Sequence, residues 1–145
     1  MRVLQFAFSG GDSEYLPHNH VKNSVVYPGT HDNTTITAWW ESAATPKEKA
    51  TAAAYLHLTR AHPTAKELAA VKTADARTAL LRAALGSVAD RAIIPMYDWL
   101  GLGEEAHLNT PGKLGGNWAW RAAAGFESKT LAKTIADECS VYCRV

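Results

Sequence analysis

The sequence predicts an α/β chain with parallel strands, and three observations carry that expectation. Short runs of apolar, β-branched and aromatic residues recur at Val3–Phe8, Ser24–Thr30 and Arg91–Met96, the pattern of buried strands. Helix-forming, Ala-rich segments separate the second run from the third, and strands joined by helical crossovers lie parallel. The second run ends in Gly29-Thr30-His31-Asp32-Asn33, which sets an imidazole beside a carboxylate at a strand's C-terminal end. In α/β barrels the βα loops at that edge build the active-site face.

Val3-Leu4-Gln5-Phe6-Ala7-Phe8 is almost continuously apolar and reads as the first strand. Arg2 before it imitates a signal peptide, but the run is short, Gln5 interrupts it and no small-residue cleavage site follows. Residues 9–23 are a polar loop punctuated by Gly10-Gly11, Pro17, Asn19 and Asn23. After the second strand, Thr45-Pro46-Lys47-Glu48 opens a helix: Thr45 as N-cap, Pro46 in the first turn, Glu48 closing a capping box. That helix is expected to reach Arg60, before His62-Pro63. A second is expected over Ala76–Val88, with Leu81, Leu85 and Val88 on one face. Pro95 cannot donate to a ladder and so belongs near the end of the third strand. Tyr97–Gly103 reads as a short helical turn closed by glycine, 107–118 as a long polar loop, and a last helix begins near Ser128. A full α/β barrel needs eight strands and roughly 250 residues. Three strands therefore read as part of something larger.

Composition narrows the function. Of 145 residues, 47% are hydrophobic and 20% charged, which fits a globular domain rather than a disordered one. The net charge is +1 and no basic stripe stands out, so the electrostatic footprint of a nucleic-acid binder is missing. No apolar run reaches the 18 residues of a membrane span. Two cysteines, Cys139 and Cys143, make no disulfide framework and sit four apart, as on one helix face. With no ligand partners at zinc spacing they point to an intracellular, reducing compartment.

The local chemistry leaves alternatives open. Asp32 is a candidate catalytic carboxylate or the N-cap of a following helix. His31 is a candidate hydroxyl donor or a core imidazole. Asn109 is a candidate sugar contact or a turn former. Trp39-Trp40 and the alternating pair Trp118 and Trp120 are aromatic enough to stack on sugar rings, although packing explains them as well. His18-Asn19-His20 has the His-x-His form by which metal-dependent barrel hydrolases hold zinc, but two exposed loop histidines would look the same.

Beyond single motifs, an ordered set of blocks spans almost the whole chain. It comprises Val3–Phe8, Tyr15-Leu16-Pro17-His18-Asn19, Val25–Asn33, Ala92–Met96, Leu100–Ala106, Asn109-Thr110-Pro111-Gly112 and Gly116-Asn117-Trp118-Ala119-Trp120-Arg121. In order and spacing these blocks resemble the C-terminal part of the 4-α-glucanotransferases, the amylomaltases or disproportionating enzymes of the α-amylase clan. The resemblance implies that the strands are the last three of a TIM (β/α)8 barrel, residues 1–145 being a partial catalytic domain. It implies a retaining double displacement on α-1,4-glucans or maltooligosaccharides, with no cofactor and no metal. Asp32 takes the role of the transition-state-stabilising carboxylate, and His31, Asn33 and Asn109 contact substrate. The family's nucleophile and acid/base correspond to nothing in this sequence and lie upstream of the stretch matching Met1. The chain is thus expected to be a C-terminal fragment, inactive alone, from an enzyme of cytoplasm or plastid. A metal-dependent TIM-barrel hydrolase, or a non-catalytic glucan-binding remnant, is the alternative. Cutting three strands from a barrel also exposes sheet edges, so self-association through Val3–Phe8 is expected. Thr34 stands where the family is usually acidic, Ala38 for Gly, Tyr97 for Gln and His107 for Arg, which touches fine substrate contacts.

Overall fold

The computed structural model describes residues 1–144. Three parallel strands form one sheet in the order β1 (Arg2–Val3), β2 (Val25–Tyr27) and β3 (Arg91–Ala92). Arg2 pairs with Val26 and Val3 with Tyr27; Val25 pairs with Arg91 and Val26 with Ala92. Sequential strands lie side by side, all in one direction, as the alternating pattern predicts.

Each strand is shorter than its apolar run. After Val3 the chain closes into a 3-10 turn, Leu4–Phe6, instead of extending to Phe8. Gln5 N still donates to Pro28 O at 3.1 Å. The turn then buries Leu4, Ala7 and Phe8 and leaves Phe6 47% exposed. The run is apolar because it enters the core, not because it is a long strand, and the edge it offers is only two residues. β2 stops before Pro28, which has no N–H for the ladder. β3 ends at Ala92, with one further bond from Ile93 N to Val26 O at 2.9 Å.

A short helix, α1 (Ile36–Ala38), runs directly into a π-helical stretch over Trp39–Ala43. The next helix, α2 (Pro46–Tyr55), carries the expected capping box between Thr45 and Glu48. It stops five residues short of Arg60. His57 turns left-handed at φ 59°, with His57 N bonded to Ala54 O and Leu58 N to Ala53 O, a Schellman closure with histidine in the usual glycine place. A second capping box, Thr64 with Glu67, starts α3 (Ala65–Ala69). The crossover helix α4 (Thr73–Leu85) buries Ala76, Leu80, Leu81, Ala84 and Leu85. Val88, expected on the same face, lies beyond the Gly86 cap and is 61% exposed. Pro95 caps α5 (Met96–Leu100), and Gly101, at φ 70°, ends it. Ser128 caps α6 (Lys129–Val141). Cys143 lies past that helix at φ 52°, so the two cysteines do not share its face, and both are free.

The core joins Leu4, Phe8, Val26, Ile36, Trp39, Trp40, Leu80 and Leu81. Both tryptophans of the Trp39-Trp40 pair are packing residues. None of the helices among the described residues is long and apolar enough to cross a membrane.

Candidate active site

Beyond β2 the chain makes a tight turn that pushes His31 and Asp32 outward. Asn33 N donates to Thr30 O at 3.1 Å, and Asn33 Oδ1 accepts from both Thr30 N at 3.0 Å and Thr30 Oγ1 at 2.8 Å. Asn33, expected to meet substrate, therefore spends its carbonyl oxygen on closing the turn. Gly29 is needed just before it: a Cβ there would stand 2.6 Å from Gln5 Nε2. That same nitrogen donates to Thr34 O at 2.8 Å, so buried Gln5 ties the first strand's turn to the far side of the His31–Asp32 loop. Asp32 does not cap a helix. Thr35 caps α1, its Oγ1 accepting from Ala38 N at 3.1 Å.

The loop after α5 reaches the same place from β3. Asn109 N donates to His31 O at 3.1 Å, and Asn109 Nδ2 donates to Asp32 Oδ1 at 2.6 Å. His31 Nε2 lies 3.3 Å from the same oxygen. Both contacts fall on Oδ1, and among the described residues no hydrogen bond reaches Oδ2. His31 and Asp32 are each about half exposed. The structure thus brings His31, Asp32 and Asn109 together at the C-terminal edge of the sheet. His31 and Asp32 border a cleft of about 370 Å³ whose walls include Tyr27, Thr30, Tyr97 and Leu108. A larger groove of about 630 Å³ lies against α2, but its lining (Lys47, Thr51, Tyr55, His62 and small residues) holds no carboxylate for glycosyl chemistry.

Asp98, which sequence reasoning passed over, holds the site from below. It is 1% exposed, and its Oδ1 accepts from Ile36 N at 2.8 Å, fastening the start of α1 four residues after Asp32. Among the described residues its Oδ2 has no partner, and burial pushes its carboxyl up to about 7 against the opposing pull of the Ile36 N–H and Arg77. Burial, with Asp98 beside it, raises the Tyr97 phenol to about 12. The clue in the sequence was an acid in the first turn of a helix opened by proline. Two of the family departures meet on one residue: Thr34 Oγ1 donates to Glu104, whose Oε1 lies 3.0 Å from His107 Nδ1. The Thr34 hydroxyl, then His107, holds the Glu104 carboxyl below its ordinary value.

The remaining candidates separate. Trp120 packs edge-on to Tyr97 at 5.9 Å. Trp118 is not packed into the core: it is 53% exposed, with its ring 5.0 Å from that of His31. The exposed His18 stacks on Tyr55, but His20 is 6% exposed, correcting the expectation of two loop histidines. His20 Nδ1 lies 2.7 Å from Ser87 Oγ and Nε2 2.9 Å from Tyr15 O, so both ring nitrogens are committed. The two histidines thus face different partners, and no group of three metal-ligating side chains occurs among the described residues.

A sequence model of the 4-alpha-glucanotransferase family matches residues 1–127. The chloroplastic/amyloplastic 4-alpha-glucanotransferase of Arabidopsis thaliana is 42% identical over 149 residues, covering all of this chain and 24% of that protein. The 4-alpha-glucanotransferase of Thermus thermophilus is 42% identical over 128 residues, covering 86% of this chain and 24% of its own length. Among solved structures, amylomaltase from Streptococcus agalactiae in complex with acarbose superposes with a TM-score of 0.81 at 28% identity, over 99% of this chain and 27% of that one. The chain spans about a quarter of the length of the relatives it matches.

Proposed function

The chain belongs to the 4-alpha-glucanotransferase family, and from that premise we propose that it supplies the last three βα units of a (β/α)8 barrel that moves α-1,4-glucan segments between maltooligosaccharides. The observation that carries this reading is Asp32 at the C-terminal strand edge, its Oδ1 gripped by Asn109 and His31 while Oδ2 keeps its acceptor capacity. A retaining transglycosylase works through a nucleophile and an acid/base about 5–5.5 Å apart and an oxocarbenium-like transition state. Neither of those groups is assigned to this chain; both belong to the upstream barrel. Asp32 accepts sugar hydroxyls whose bonds tighten as the ring distorts, and it places negative charge near the developing cation. His31 and Asn109 fix its orientation and offer further donors to the sugar, and Asn33 holds the turn. The reaction needs no cofactor, and the compartment is intracellular, cytoplasm or plastid.

Titrating maltoheptaose into the purified chain tests the reading. The amides of His31, Asp32 and Asn109 should shift in NMR spectra while no transfer product forms, because proximity of the two missing groups supplies much of the rate. Clear turnover by the 145-residue chain would overturn the reading.

A further inference from the structure

We propose that Trp118 is a positioning residue for His31: its indole lies against the imidazole and keeps His31 Nε2 turned toward Asp32. The backbone of Trp118 is left-handed, at φ 61°, a conformation that a bulky side chain adopts only where its surroundings hold it. Burial does not explain it, because the residue is 53% exposed. Its neighbours do. Trp118 N donates to Leu108 O at 2.6 Å, closing the loop one residue before Asn109. Asn117 Oδ1 accepts from Thr110 N at 3.0 Å, and Arg121 Nη1 donates to Trp118 O at 2.9 Å.

The loop is therefore a strap whose two ends reach the same turn. Asn109 seizes the His31 carbonyl and the Asp32 carboxylate, and Trp118 sets its indole against the imidazole, tilted by 38° at a centroid distance of 5.0 Å. With the indole on one side, the ring has less freedom to turn, and Nε2 lies 3.3 Å from Asp32 Oδ1. Trp120, two residues on, packs on Tyr97 instead and serves as the control. The functional meaning of this clamp rests on the glucan reading above; the clamp itself does not.

The test is NMR of the imidazole protons in the 145-residue chain. The indole ring current should displace the His31 resonances. W118A should abolish that displacement, W118F should keep most of it, and W120A should leave it unchanged. W118G, which relieves the left-handed backbone, should melt at or above the wild-type Tm. Maltoheptaose-induced shifts at His31 and Asn109 should weaken several-fold in W118A and return in W118F. Unchanged His31 resonances in W118A, or a Tm several degrees lower in W118G, would overturn the proposal, the latter marking Trp118 as a packing residue. A wild-type chain that shows the ring-current pattern but no response to maltoheptaose would leave the clamp standing and remove the glucan reading.

Discussion

Replacing Asp98 with Asn should remove the loss of stability that Asp98 imposes as pH rises toward neutrality. The folded carboxyl sits at about 7 against an ordinary 3.8. The folded chain therefore holds a proton that the unfolded chain has lost, and stability falls as pH rises from about 4 to 7. The full shift corresponds to about 4 kcal/mol at 1.36 kcal/mol per unit, of which about 2 kcal/mol falls between pH 5.5 and 8. Asparagine keeps a carbonyl oxygen for the Ile36 N–H and does not titrate. Stability of D98N minus that of wild type should thus grow by about 2 kcal/mol from pH 5.5 to 8, a shift of roughly 1 M in urea midpoint. D98A should be about 1–3 kcal/mol less stable than D98N at every pH, because it strands the buried Ile36 N–H. Urea unfolding followed by fluorescence of the five tryptophans measures all three. A difference between D98N and wild type that is flat or shrinks with rising pH would refute the argument.

The other predictions concern groups away from Asp98. Burial holds the His20 imidazole below 6.5, so its contribution is present above that pH and lost as pH falls through it. In the D98N background the urea midpoint should drop between pH 7.5 and 5.5, and adding H20N should flatten the drop; an undiminished drop in the double variant would count against this. We also expect micromolar self-association, seated on exposed Met1 and Phe6 beside β1. Size-exclusion chromatography should show oligomer for wild type and more monomer for F6K, whereas a sharp wild-type monomer peak would contradict it.

The sequence exposed what depends on local pattern. Thr45-Pro46-Lys47-Glu48 located a helix start to the residue, and β2 followed by Gly29-Thr30-His31-Asp32 located the turn that sets His31 and Asp32 beyond a strand end. It hid what depends on partners far along the chain. Val3–Phe8 reads as a strand because burial in a turn and burial in a sheet demand the same apolar residues. The helix over Ile36–Ala38 is too short to show periodicity, and its anchor, Asp98, lies 62 residues away. His20 looked like a loop residue until Ser87 and Tyr15 closed around it. Trp118 was weighed between packing and sugar stacking, since nothing local reveals the imidazole it touches.

The most direct test of the central claim exchanges this chain for the matching 149-residue stretch of the Arabidopsis thaliana relative and measures glucan transfer from maltotriose. The chimera should transfer, and its D32N form should fall by about 10²–10³ in kcat while maltooligosaccharide binding survives in part. Transfer undiminished by D32N would contradict the account.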